Sequence, residues 1–124
     1  MTRIVFMSIA LLLSGSIVQA DDDAGAKLFK NHCGACHSIV NDGSKRQGPN
    51  LFGVLTRKAG TQPEYGKYSD GLKAAGWQWT PEQLDVWLTD PKALVPTTFM
   101  SAYKQKDAEK RKLLIEFIKA NGGM

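Results

Sequence analysis

The chain has 124 residues, a formal net charge of +4 and only two cysteines. That length leaves room for one ordinary domain. The positive charge is too weak and too evenly spread to argue for nucleic acid, though it suits docking to acidic protein surfaces.

The first twenty residues read as an address rather than as structure. Arg3 supplies a minimal positive start, Ile4 to Leu13 is almost wholly apolar, and Val18-Gln19-Ala20 places small residues where a signal peptidase needs them. The apolar run is short and interrupted by Ser14-Gly15-Ser16, which argues against a comfortable membrane span. We expect a signal peptide over 1–20, cleaved after Ala20, with an uncleaved anchor as the alternative.

Asp21-Asp22-Asp23 favours the start of a first helix, expected over Ala24 to Cys33 with Leu28 and Phe29 on its apolar side. Gly25 inside that pattern marks either a tolerated glycine or a close helix–helix contact that forbids a Cβ. Cys33-Gly34-Ala35-Cys36-His37 follows. Two thiols three positions apart, with an imidazole directly after, is the attachment pattern for a c-type haem. Each thiol can form a thioether, and the histidine can ligate iron from the proximal side. A thioredoxin-type redox pair or half of a zinc site are the rival readings. Zinc would need two more ligands, and only His32 remains among the histidines and cysteines. A thioredoxin-like fold would need a strand before the first cysteine, where a helical pattern stands instead. Attachment consumes both thiols and leaves no disulfide, so a chain with a modest core would gain a large apolar plate to pack around.

After His37 the periodicity is lost. Asn41-Asp42-Gly43-Ser44 is turn chemistry, and Gly48-Pro49-Asn50-Leu51 combines tight approach with a fixed φ. A short helix is expected from Ser69, its cap, to Gly76. A better-marked one starts at Thr80, with Pro81 at the first helical position and Gln83 as the capping-box partner. Leu84, Trp87 and Leu88 share one face of it, and Asp90-Pro91 is expected to end it. Ala93 to Tyr103 reads as a loop. The last helix is expected from Asp107 to Asn121, with Leu114, Phe117 and Ile118 buried and Gly122-Gly123 as its stop. Period-two alternation is absent, so the fold class is all-α.

A sixth ligand follows by elimination among four methionines. Met1 and Met7 leave with the signal, Met124 ends the chain, and His32 sits too near the proximal side. Met100 remains, on a loop long enough to reach over the iron, with core filling as its bland alternative.

With these residues in place, the chain resembles class I cytochromes c of bacteria and mitochondria, specifically a soluble periplasmic member of the bacterial branch. The resemblance rests on Gly25, Phe29, the Cys33–His37 run, Gly48-Pro49-Asn50-Leu51, Arg57, Gly60, Tyr68, Trp79, Asp90-Pro91-Lys92 and Pro96-Thr97-Thr98-Phe99-Met100. It implies a small single-domain cytochrome c fold over 21–124, with short helices around one covalent haem c whose iron is held by His37 and Met100. Pro49 would orient His37 through its carbonyl. Arg57, Tyr68 and Trp79 would hydrogen-bond the haem propionates, and Thr98 would hold the distal loop. Gly25 and Phe29 would meet Leu114 and Phe117 where the terminal helices cross. Two positions depart from the family: Leu72 where an asparagine is frequent, and Trp87 where a tyrosine commonly neighbours the methionine sulfur. Both remove polar partners from the distal side.

The function expected is a diffusible, monomeric one-electron carrier in the periplasm, not an enzyme. It would shuttle between respiratory or photosynthetic redox complexes and dock through Lys27, Arg46, Lys92 and Lys106 at the haem edge. The rivals are the cytochrome subunit of a periplasmic dehydrogenase and a small haem peroxidase with an open sixth site.

Overall fold

The computed structural model describes residues 17–123, so the expected signal peptide over 1–20 lies almost wholly outside the described residues. Five α-helices carry the fold: α1 Ile17–His32, α2 Asp70–Ala74, α3 Pro81–Thr89, α4 Pro91–Leu94 and α5 Ala108–Ile118. No strand forms among the described residues. One isolated antiparallel bridge, Lys58 with Gln78, holds two loop segments together.

Capping decides where most of these helices begin. The Ser69 hydroxyl accepts from Leu72 N at 3.2 Å to open α2. Thr80 accepts from Gln83 N at 3.0 Å to open α3, with Pro81 at its first position. The Asp107 carboxylate accepts from Glu109 N and Lys110 N, at 2.9 and 3.2 Å, to open α5. Those three starts match the sequence reading. Asp90-Pro91 does not act as a plain stop. The Asp90 carboxylate accepts from Ala93 N at 3.4 Å and Pro91 begins α4, which takes the first two residues of the expected 93–103 loop. Proline suits the first position of a helix, because the N–H it lacks would be an orphan there and its fixed φ is already helical.

The terminal helices α1 and α5 pack against each other and set the frame. A Cβ on Gly25 would lie 2.7 Å from the Leu113 carbonyl oxygen and 3.0 Å from the Phe117 Cβ. Glycine is there because the backbones approach that closely. The Phe29 and Phe117 rings stack at 5.2 Å with a 40° tilt. Leu114, Ile115 and Ile118 form the buried stripe of α5, while Phe117 is only half-buried at the crossing. Ile115 therefore takes the buried place the sequence pattern gave to Phe117, in a helix that packs on α3 as well as on α1. Beyond Ile118 the backbone widens and leaves the helix at Gly122, whose φ is 95°. The Gly122 carbonyl there accepts from Gly53 N and ties the end of the chain to the 54–56 turn.

The helices occupy little of the stretch from 38 to 69, which is shaped by side-chain-to-backbone bonds. Asn50 is its hub. Its amide donates to the Val40 and Ser44 carbonyls at 2.9 and 2.8 Å, and its Oδ1 accepts from Phe52 N at 2.8 Å. A buried amide so fully satisfied fixes a loop that has no ladder of its own.

Candidate functional site

The end of α1 delivers the Cys33–His37 segment as a tight turn. Cys33 N and Gly34 N both donate to the Phe29 carbonyl, at 2.8 and 2.9 Å. Cys36 N and His37 N both donate to the Cys33 carbonyl, at 3.0 and 2.8 Å. That winding buries Cys33, leaves Cys36 half-buried and turns His37 inward. A second segment closes over the turn: Gly48 N donates to the Cys36 carbonyl at 2.7 Å. Arg46 donates from its guanidinium to the Gly34 carbonyl, so this residue, expected as a free rim charge, is tied to the attachment turn.

His37 is fixed from two directions. Its Nδ1 lies 2.7 Å from the Pro49 carbonyl oxygen, which can only accept, so Nδ1 carries the proton. Gly48 lies against the flat of the ring, where a Cβ would sit 2.5 Å from Cε1. Burial holds His37 below the usual histidine range, against a smaller opposing pull from Pro49. A neutral imidazole with Nδ1–H engaged leaves the Nε2 lone pair for a metal.

These residues open onto one cavity of about 510 Å³, within the size range of cofactor pockets. All ten residues expected to attach, ligate or surround the haem line it. Cys33, Cys36, His37 and Pro49 come from the attachment turn and the segment that covers it. Arg57, Tyr68, Trp79, Trp87, Thr98 and Met100 come from the rest of the chain. Arg57 donates to the Asn50 and Phe52 carbonyls at 2.8 and 3.1 Å, and burial pulls its guanidinium below the usual arginine range. The Tyr68 hydroxyl accepts from Gln62 N at 3.3 Å, and burial pushes the phenol up. Trp79 N donates to the Arg57 carbonyl at 2.9 Å, which sets the indole, 8% exposed, into the wall. The Thr98 hydroxyl accepts from Met100 N at 3.1 Å, shaping the turn that carries the thioether.

Sequence reasoning missed several lining residues. Tyr65 is buried and donates its hydroxyl to the Gln47 carbonyl at 2.8 Å, in a stretch with no periodicity to flag it. Gln47 also accepts from the Cys36 thiol at 3.5 Å through its side chain. Lys58, Lys67 and Phe99 stand at the cavity, whereas Lys27, Arg46, Lys92 and Lys106 do not line it. Lys27 and Lys92 are exposed, and Lys106 reaches Asp90 at 4.0 Å.

The geometry discriminates among the readings of the cysteine pair. Burial, reinforced by the neighbouring Cys36, pushes the Cys33 thiol up to about 12. A redox dithiol needs the opposite shift. Among the described residues no group of three or more histidine, cysteine or acidic side chains converges on a metal site, so zinc gains no support. Two free thiols, an imidazole with an open Nε2, a thioether and an apolar hollow between them fit a covalent haem. The family profile described as Cytochrome c matches residues 23–121.

The chain belongs to the cytochrome c family.

A cytochrome c of Theileria parva is 42% identical over 103 residues, covering 83% of this chain and 88% of its own length. A cytochrome c2 of Rhodobacter capsulatus is 39% identical over 124 aligned positions, covering 92% of this chain and 83% of its own. A protein named cytochrome c-type cyt cy from the same bacterium is 40% identical over 101 residues, 82% of this chain and 49% of that protein. Membership in the cytochrome c family brings covalent haem c, with its iron, as the cofactor. The helical single-domain architecture is the one expected for class I.

Proposed function

We propose that this cytochrome c is an exported, diffusible one-electron carrier of the bacterial periplasmic branch, with His37 and Met100 as axial iron ligands. The observation that carries the proposal is the convergence of Cys33, Cys36, His37 and Met100 on one cavity whose lining contains no aspartate or glutamate. Such a site would supply two thiols for thioether attachment and an imidazole and a thioether as iron donors, and its lining holds no carboxylate that could serve as a general acid or base.

When bound, the haem iron supplies a one-electron Fe(III)/Fe(II) couple. The chain's part is to hold and insulate it. Cys33 and Cys36 would fix the macrocycle by thioethers, and His37 would ligate through Nε2 while Nδ1–H stays on Pro49. The Met100 thioether, a soft donor, would favour the ferrous state and raise the potential. Arg57, Tyr68 and Trp79 would offer hydrogen-bond donors to the propionates, which are costly to enclose unpaired. Trp87 would present an apolar wall beside the Met100 sulfur. The 1–20 segment would direct export and be removed after Ala20. Among the described residues no helix is long and apolar enough to cross a membrane. Lysines about the haem edge would steer a monomer to acidic redox proteins.

A visible spectrum of the oxidised protein tests the core of the proposal. A weak band toward the red end, reporting iron–sulfur ligation, is expected, together with a one-electron potentiometric wave. A high-spin resting spectrum without that band would overturn the closed six-coordinate site and favour a peroxidase.

A further inference from the structure

Gly71 lies inside α2, a helix of only five residues, where glycine is a poor choice beside alanine. The contacts at that position supply a reason for it. A Cβ on Gly71 would strike Thr97 Oγ1 and would lie 2.9 Å from Val95 Cγ1. Thr97 is exposed, so its hydroxyl can turn away. Val95 has no such freedom, being β-branched and 4% exposed in the core cluster. The helix cannot back away either. Lys73, roughly 200° around α2 from Gly71, stands against Gly60, where a Cβ would come within 2.9 Å of the Lys73 Cα. The short helix is thus held between the loop at Gly60 and the turn at Val95–Thr98. That turn carries Met100. The Val95 carbonyl accepts from Thr98 N at 3.0 Å, and the Thr98 hydroxyl accepts from Met100 N at 3.1 Å. A displacement of Val95 therefore reaches Met100 through two hydrogen bonds.

We propose that Gly71 is a positioning residue for Met100: its missing side chain lets the Val95–Thr98 turn close on α2, and that closure seats the thioether over the cavity. The proposal deepens the carrier function and rests on Met100 being an axial ligand. Gly71 itself touches no iron ligand and acts through Val95. Because α2 is backed by Gly60, a methyl group added at 71 must push the turn outward. Met100 then spends more of its time withdrawn from the iron, while the helix itself gains from alanine. The role therefore separates from stability, which makes it measurable.

Imidazole titration of the oxidised, haem-loaded protein reads that seating directly. Imidazole can take the sixth position only where the thioether has left it, so its apparent affinity scales with the withdrawn fraction. Gly71→Ala should bind imidazole about tenfold more tightly than the parent. In a Val95→Ala background, where the methyl that the new Cβ meets is gone, the same glycine substitution should shift the affinity by less than about twofold. Gly25→Ala, whose clash lies at the α1–α5 crossing, should lower the thermal midpoint and leave the imidazole affinity at the parent value. Equal affinity in parent and Gly71→Ala, an undiminished shift in the Val95→Ala background, or the same gain in Gly25→Ala would each overturn the positioning role while Met100 ligation stands. A parent whose oxidised spectrum lacks the weak red band would overturn Met100 ligation itself, and the positioning role with it.

Discussion

Replacing Gly25 with alanine probes the crossing on which the whole frame depends, and two opposing effects set the outcome. Inside a helix alanine is favoured over glycine by about 1 kcal/mol, and Gly25 lies well within α1. Against that, the added Cβ would stand 2.7 Å from the Leu113 carbonyl oxygen and 3.0 Å from the Phe117 Cβ. The nearer neighbour is main chain in the body of α5, so it cannot swing aside as a long side chain could. Relief requires α1 and α5 to part, which loosens the Phe29–Phe117 stack and the seat of Leu114, a side chain fully buried in the core. Overpacking of this kind costs about 1–3 kcal/mol. Since two backbones must move rather than one rotamer, we place the strain at the upper end and expect a net loss of about 1–2 kcal/mol.

For a domain of this size that loss lowers the thermal midpoint by roughly 4–16 °C. Far-UV circular dichroism of the haem-loaded protein measures it. Gly66→Ala is the matched comparison, because nothing lies within 4 Å of the position its Cβ would take and its backbone is not left-handed. That substitution should be neutral or raise stability by about 0.4–1 kcal/mol through the unfolded chain. A Gly25→Ala protein that melts at or above the parent would refute the close-approach account of this glycine.

Four further outcomes are expected. Replacing Cys33 and Cys36 together with serine should remove haem staining from a denaturing gel and leave the chain largely unfolded; normal folding without haem would count against a cofactor-dependent core. Met100→Ala should abolish the weak red band and lower the potential, and a surviving band would mean another ligand. Gly48→Ala should drive the His37 ring off Pro49, since its Cβ would meet Cε1 at 2.5 Å; an unaltered low-spin spectrum and yield would show that the ring tolerates the displacement. Reversing charge at Lys27 and Lys92 should slow electron exchange with a carboxylate-terminated electrode at low ionic strength. The parent and variant should converge once the Debye length falls below about 8 Å, and a rate indifferent to both would exclude those lysines from docking.

What was legible in the sequence was what local chemistry encodes. Ser69, Thr80 and Asp107 cap their helices because each side chain reaches a main-chain N–H two or three residues on, a relation visible in the letters themselves. Cys33, Cys36 and His37 meet for the same reason, inside a single turn. Residues brought together by the irregular stretch from 38 to 69 left no such trace. Tyr65 reaches Gln47, and Arg46 reaches Gly34, through contacts that no spacing rule anticipates. The start of α1 at Ile17 was missed because the apolar pattern there belongs equally to an export signal.

The departure at Trp87 shows how the two kinds of information combine. Set beside the family, an indole in place of a phenol reads as a loss of polar partners. In the folded chain Trp87 is 4% exposed and packs on Trp79 at 5.6 Å and on Trp77 at 6.3 Å, while Trp77 meets Trp79 at 5.7 Å. Trp77, which no motif singled out, completes the cluster by meeting both other rings. Three tilted or edge-on aromatic pairs contribute about 0.5–1.5 kcal/mol each beyond their burial. Position 87 is thus part of an apolar aromatic cluster built within this chain rather than an isolated exchange of one ring for another.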